Sequence, residues 1–153
     1  MVVNITTERP DTPDAFALIT EIDATLIPLY PRESRHGLSV ARLIAEAVPF
    51  FVLRTDGIAV SCGGVKLFGT EYGEIKRMYV RPAYRGMGFA KRMVSYLIDY
   101  AQVQGVMLIR LETGIHQHEA IGLYEHMGFH RIGPFGDYKA DPFSLFYEKL
   151  TKD

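Results

Sequence analysis

Arg81-Pro82-Ala83-Tyr84-Arg85-Gly86-Met87-Gly88-Phe89-Ala90 decides how the rest of the chain reads. Beyond it, Ala90, Met93, Val94, Leu97, Ile98 and Ala101 recur at the spacing that lines one face of an α-helix. A helix start carries unpaired N–H groups and partial positive charge. Glycines there let an anion approach the backbone closely. The stretch therefore has the makings of a phosphate cradle, with Arg81, Arg85, Lys91 and Arg92 adding charge. Taken alone, the same residues fit a glycine-rich turn with solvated arginines equally well.

Toward the N-terminus the pattern is that of strands. Glu74 to Val80, Ile58 to Phe68 and Phe50 to Arg54 read as a meander, with a tight turn at Asp56-Gly57 and a bulge at Gly63-Gly64. Earlier still, Val2 to Thr7 alternates like a strand. Thr12-Pro13 reads as a helix start, with Phe16, Ile19, Ile22 and Leu26 on one face. A second helix begins near Ser39, with Val40, Leu43, Ile44 and Ala47 on its face. Leu29 to Gly37 between them is a polar loop. Toward the C-terminus, Val106 to Leu111 is an apolar run suited to a strand covered on both faces. Ala120, Leu123, Tyr124 and Met127 are helical in spacing, and Ser144 to Leu150 is a last strand. The order β-α-α-β-β-β-α-β-α-β predicts one mixed α/β domain over residues 1–153, with helices packed on a largely antiparallel sheet. Only the strands flanking the glycine turn should be parallel.

Composition narrows the function classes. Lys plus Arg is 17 and Asp plus Glu is 18, so no charge bias points to nucleic acid or an anionic membrane. No apolar run approaches the ~20 residues that span a bilayer. The first residues lack the basic start and apolar stretch of a signal peptide. A single cysteine, Cys62, excludes an internal disulfide and fits a reducing cytoplasm. It lies in an apolar strand and reads as a small core residue. His116 and His118 resemble a metal pair, but two ligands without a third do not make a site.

A dinucleotide-binding turn is one alternative, with Glu112 where a ribose-binding acid would sit. Its third glycine is replaced by Lys91, and a five-residue Arg81-to-Arg85 spacer separates strand from glycines. The closer resemblance is to GNAT acetyltransferases. Arg85-Gly86-Met87-Gly88-Phe89-Ala90 matches that family's Arg/Gln-x-x-Gly-x-Gly/Ala. Ala120-Ile121-Gly122-Leu123-Tyr124-Glu125-His126-Met127-Gly128-Phe129 is similar to its second signature. Gln117 stands where the family often has asparagine.

The resemblance implies that strands four and five splay and that acetyl-CoA is the cosubstrate, without a metal. Backbone at Met78, Tyr79 and Val80 would bond the pantetheine arm, and N–H groups from Arg85 through Ala90 would hold the pyrophosphate. Gln117 would reach the cofactor. Tyr124 would protonate the leaving thiolate, and Glu74 would accept the amine proton, with Glu112 a second candidate. The loops holding Tyr30, Arg32 and Arg35, and then Tyr138, would border a small amine acceptor. Arginines there suit a carboxylate. A homodimer is left open. The alternative of another class is a non-catalytic module that senses acyl-CoA.

Overall fold

A computed structural model describes residues 1–151. Its seven strands form one sheet in the order β1-β2-β3-β4-β5-β7-β6. They are β1 (Val3–Thr7), β2 (Phe50–Thr55), β3 (Ile58–Phe68), β4 (Tyr72–Val80), β5 (Leu108–Gly114), β6 (His130–Ile132) and β7 (Ser144–Leu150). All neighbours are antiparallel except β4 and β5. Helices α1 (Pro13–Leu26) and α2 (Val40–Ala45) cover one face, and α3 (Phe89–Val103) and α4 (His118–His126) the other.

Local chemistry explains these elements. In β2, Phe50 and Val52 join the core under α1 and α2, while Phe51 and Leu53 join the core under α3. That is the period-two alternation of a strand covered on both sides. Asp56 and Gly57 have φ of 50° and 84°, the left-handed pair of a tight hairpin turn. Thr12 Oγ1 accepts from the Ala15 N–H at 3.3 Å to cap α1, and Ser39 Oγ accepts from the Arg42 N–H at 3.2 Å to cap α2. A Cβ at Gly63 would lie 3.1 Å from Leu97 Cδ1 and 3.2 Å from Met93 Cγ, so this glycine lets α3 sit directly on β3.

Several expectations are corrected. The bulge falls at Gly63 as expected, but its extra residue lies on β4 and not on β3. Cys62 faces Tyr79 and Gly64 faces Lys76, which leaves Arg77 and Met78 opposite Gly63. Arg77 adopts φ 56°, a conformation costing a non-glycine residue about 1–2 kcal/mol. Its guanidinium offsets this by donating from Nε to Leu38 O at 2.8 Å and meeting Asp23 at 2.9 Å. Strand β5 starts at Leu108 and reaches Gly114, alternating buried and half-buried residues instead of being covered throughout. The face of α1 holds at Ile19 and Ile22, but Ala15 and Leu18 complete it in place of Phe16, which is 54% exposed. In α2 only Leu43 is buried, and Ala47 lies past the helix end. The short exposed strand β6 carries no alternation long enough to read.

The parallel pair fixes the site. β4 and β5 pair at Gly73↔Ile109 and Glu74↔Arg110 only. Beyond these positions the strands splay, β4 running on to Val80 and β5 to Gly114.

Candidate active site

The parted strands leave a groove made of two adjoining cavities that share Met78, Tyr79, Arg85, Gln117 and Tyr124. The larger, about 440 Å³, lies against the glycine turn and the starts of α3 and α4. The smaller, about 150 Å³, lies among Glu74, Lys76, Glu112 and the α1–α2 loop.

At the larger cavity, Gly86 and Gly88 have φ of 79° and 83°. A Cβ on either would meet nothing within 4 Å. Backbone conformation therefore demands glycine there, and the space in front is open. Gly88 caps α3 without a side-chain hydrogen bond, so the first-turn N–H groups face that space with no side-chain acceptor. Phe89, 2% exposed, anchors the turn to the core, whereas Met87 is 48% exposed. Val80, Ala90 and Lys91 also line the cavity. Arg85 Nε donates to Val80 O at 3.1 Å. Arg81 does not serve the turn: its Nε donates to both Glu21 carboxylate oxygens at 3.1 Å and its Nη1 to Ala59 O at 2.7 Å.

Tyr124 is the buried residue of α4, 4% exposed, and lines both cavities. Among the described residues its hydroxyl has no hydrogen-bond partner. Its ring meets Phe129 edge-on at 5.5 Å. Burial, with the nearby Glu112 charge, pushes its hydroxyl pKa well up, so it stays protonated through neutral pH.

Glu74 stands third in β4 and is 4% exposed, so it is a buried carboxylate facing the smaller cavity. Its Oε2 accepts from Tyr138 Oη at 2.5 Å and from Lys76 Nζ at 3.1 Å. Lys76 completes its three donors on His36 O at 3.3 Å and Tyr138 Oη at 3.0 Å. Sequence reasoning missed Lys76. Strand periodicity could have found it, since it is two residues from Glu74 and so shares its face. Arg110, opposite Glu74, and Glu112, two residues on, put the second carboxylate on this face as well. Ser144 Oγ donates to Glu112 Oε2 at 2.8 Å. Burial pushes the Glu112 carboxyl up, and the Glu74 charge adds to this.

The loops are clasped over the smaller cavity. Asp141 Oδ1 accepts from Ser34 Oγ at 3.0 Å and from the Phe143 N–H at 2.8 Å. The His36 and Tyr138 rings meet edge-on at 5.2 Å. Tyr30 Oη accepts from the His116 N–H at 2.9 Å and donates to Gln117 Oε1 at 3.2 Å. Arg35 lines the cavity, whereas Arg32 is exposed on a 3-10 turn, Arg32–Ser34, outside it. Cys62 is fully buried, and burial pushes its thiol up far from a thiolate. Among the described residues no group of three His, Cys, Asp or Glu could hold a metal ion, and no helix is long and apolar enough to cross a membrane.

Three comparisons bear on this geometry. The chain is 42% identical to an IAA acetyltransferase of Azospirillum brasilense over 96% of this chain and 97% of that one. A Klebsiella pneumoniae structure described as an acyl-CoA N-acyltransferase superposes with TM-score 0.84 at 32% identity, covering 99% of each chain. A Salmonella typhimurium acetyltransferase, yncA, solved with its cofactor acetyl-CoA, shares the fold at TM-score 0.73 and 18% identity, covering 100% and 96%. The Acetyltransferase (GNAT) family profile matches residues 16–129, and with a groove between parted parallel strands ending at a bare helix start, the chain belongs to the GNAT acetyltransferases.

Proposed function

We propose that this chain transfers an acetyl group from acetyl-CoA to the primary amine of a small, amino-acid-like molecule by direct attack in a ternary complex. The observation that supports it most is the place of Tyr124. It lines both cavities, one carrying the glycine turn and the other the carboxylates Glu74 and Glu112, and its hydroxyl has no hydrogen-bond partner among the described residues. Acetyl-CoA supplies the activated thioester. The N–H groups of Arg85 through Ala90 bind its pyrophosphate, and the open space before Gly86 and Gly88 fits that group. The edge of β4 at Met78, Tyr79 and Val80 bonds the pantetheine arm like an added strand, and the Val80 N–H polarises the thioester carbonyl. The Gln117 carbonyl is engaged by Tyr30, so its amide N–H groups are what it offers a cofactor.

In the reaction the amine nitrogen bonds to the carbonyl carbon and the carbon–sulfur bond breaks. Tyr124 gives its proton to the departing thiolate. The proton lost by the amine passes to the carboxylate pair. Glu74 Oε2 already carries two hydrogen bonds, one from a lysine. Glu112 is the better base on these observations, because burial raises its proton affinity toward the working pH. Coenzyme A release should be followed against amino acids, polyamines, aminoglycosides and peptides, with IAA included on account of the Azospirillum brasilense relative's name. Acetyl-CoA binding without release for any acceptor would favour a sensing module instead.

A further inference from the structure

Four lysine and arginine side chains line the smaller cavity, and three are already engaged. Lys76 spends its donors on Glu74, Tyr138 and the His36 carbonyl. Arg77 is held by Leu38 O and Asp23. Arg85 is held by Val80 O and lies 3.6 Å from Glu119. Arg35 differs. Its side chain has no hydrogen bond or ion pair among the described residues, and its Nε is buried without a partner. A buried donor left unpaired is costly, and a charged one more so, so a ligand that paired this one from the cavity would be favoured. The next residue repeats the pattern: His36 Nε2 is buried without a hydrogen bond, 3.7 Å from its nearest acid, Asp141. The same cavity carries Glu74, neutralised by Lys76, and Glu112, which has only the Ser144 hydroxyl. It is therefore bipolar, with the unpartnered Arg35 Nε on the α1–α2 loop and, on β5, a carboxylate whose one hydrogen bond comes from a hydroxyl.

Resting on the acetyl-transfer reading, we infer that the acceptor is a zwitterion whose carboxylate seats on Arg35 Nε, with His36 Nε2 beside it, while its amine turns to Glu112. A planar guanidinium binds a carboxylate through directed, charge-assisted hydrogen bonds, which an amide or a simple amine cannot reproduce.

The test uses the full chain with the common amino acids, their carboxamides and the corresponding decarboxylated amines. Binding is followed by thermal shift in saturating coenzyme A, and turnover by coenzyme A release. At least one free acid should bind and turn over well ahead of its amide and its decarboxylated amine. Arg35→Gln should raise KM for that acid about 10- to 100-fold with kcat nearly kept, and should erase the preference for acid over amide. Arg32→Gln, which removes the same charge from the same loop outside the cavity, should move neither. An acid preference unchanged in Arg35→Gln, or no acid binding better than its amide, overturns the inference while leaving acetyl transfer standing. Acids that bind through Arg35 without coenzyme A release sustain the carboxylate seat and remove the acetyl-transfer reading.

Discussion

The hydroxyl of Tyr30 occupies the space a side chain at Gly114 would need: a Cβ there would lie 2.1 Å from that oxygen. The end of β5 is thus shaped to receive a tyrosine from the α1–α2 loop, 5% exposed and bonded to the backbone of His116 and the amide of Gln117. Gly114→Ala should expel Tyr30. Tyr30→Phe removes only the hydroxyl and strands the His116 N–H, at a cost of about 1–3 kcal/mol. Gly114→Ala should cost more, since ring burial is lost too. In a Tyr30→Ala background it should cost little, because two substitutions removing one contact are not additive. Denaturant midpoints of the parent and the four variants check this; additive costs of Gly114→Ala and Tyr30→Ala would mean that the two residues do not share a contact.

Tyr124→Phe tests the proton donor. Loss of one hydroxyl should leave the fold and acetyl-CoA affinity intact and lower kcat by about 10²- to 10⁴-fold. Since burial holds the parent hydroxyl protonated, its pH–rate profile should show no alkaline limb from Tyr124 near neutral pH. A kcat equal to the parent's, with chemistry shown to be rate-limiting, would leave Tyr124 as packing for Phe129.

Gly88 separates conformation from packing. No atom stands near its missing Cβ, so Gly88→Ala should fold, paying about 1–2 kcal/mol for a left-handed alanine. Gly88→Glu adds a carboxylate to the space proposed for the pyrophosphate and should abolish the stabilisation that acetyl-CoA confers on the parent. Retained stabilisation in that variant would place the phosphates elsewhere.

Glu112→Gln reports on the base and on pH. Burial lifts this carboxyl above its ordinary range, so the folded chain holds the proton more tightly than the unfolded chain. Below about pH 4 both states are protonated and nothing is contributed; above it, stability is lost as pH rises until the folded group ionises. Glutamine never ionises. The variant should therefore melt higher than the parent at about pH 8 and converge on it near pH 4, while turnover falls most at low pH, where the amine is largely protonated. Glu74→Gln should instead loosen the Lys76–Tyr138 network and melt lower. A rate loss in Glu74→Gln alone would return the base role to Glu74.

Much of this was legible because its causes are local. The glycine turn and α3 follow from period and from a start that needs left-handed glycines, and the caps of α1 and α2 from Thr12 and Ser39. The start of β5 was not legible, because it is set by pairing Leu108 with Leu150 at the far end of the chain, not by its own apolar run. Nothing about Arg77 announces a bulge; its conformation is held by Asp23 and Leu38, both far off in sequence. The clasp of Ser34 to Asp141 joins residues 107 apart, and no short window contains both. Glu74 and Lys76 could have been paired by strand period, but what Arg35 lacks is visible only once every neighbour has been placed.

The two-pair joint between β4 and β5 makes the sheet, in elastic terms, two plates with a hinge. β1 to β4 form one plate and β5 to β7 the other, with α3 the covalent crossover between them. Such a joint gives way at lower free energy than any full ladder in the molecule, so without ligand the plates should fluctuate as separate units in amide exchange. A molecule bonded to both edges would weld them. Its binding should then slow exchange as far away as β7, on a strand that lines neither cavity.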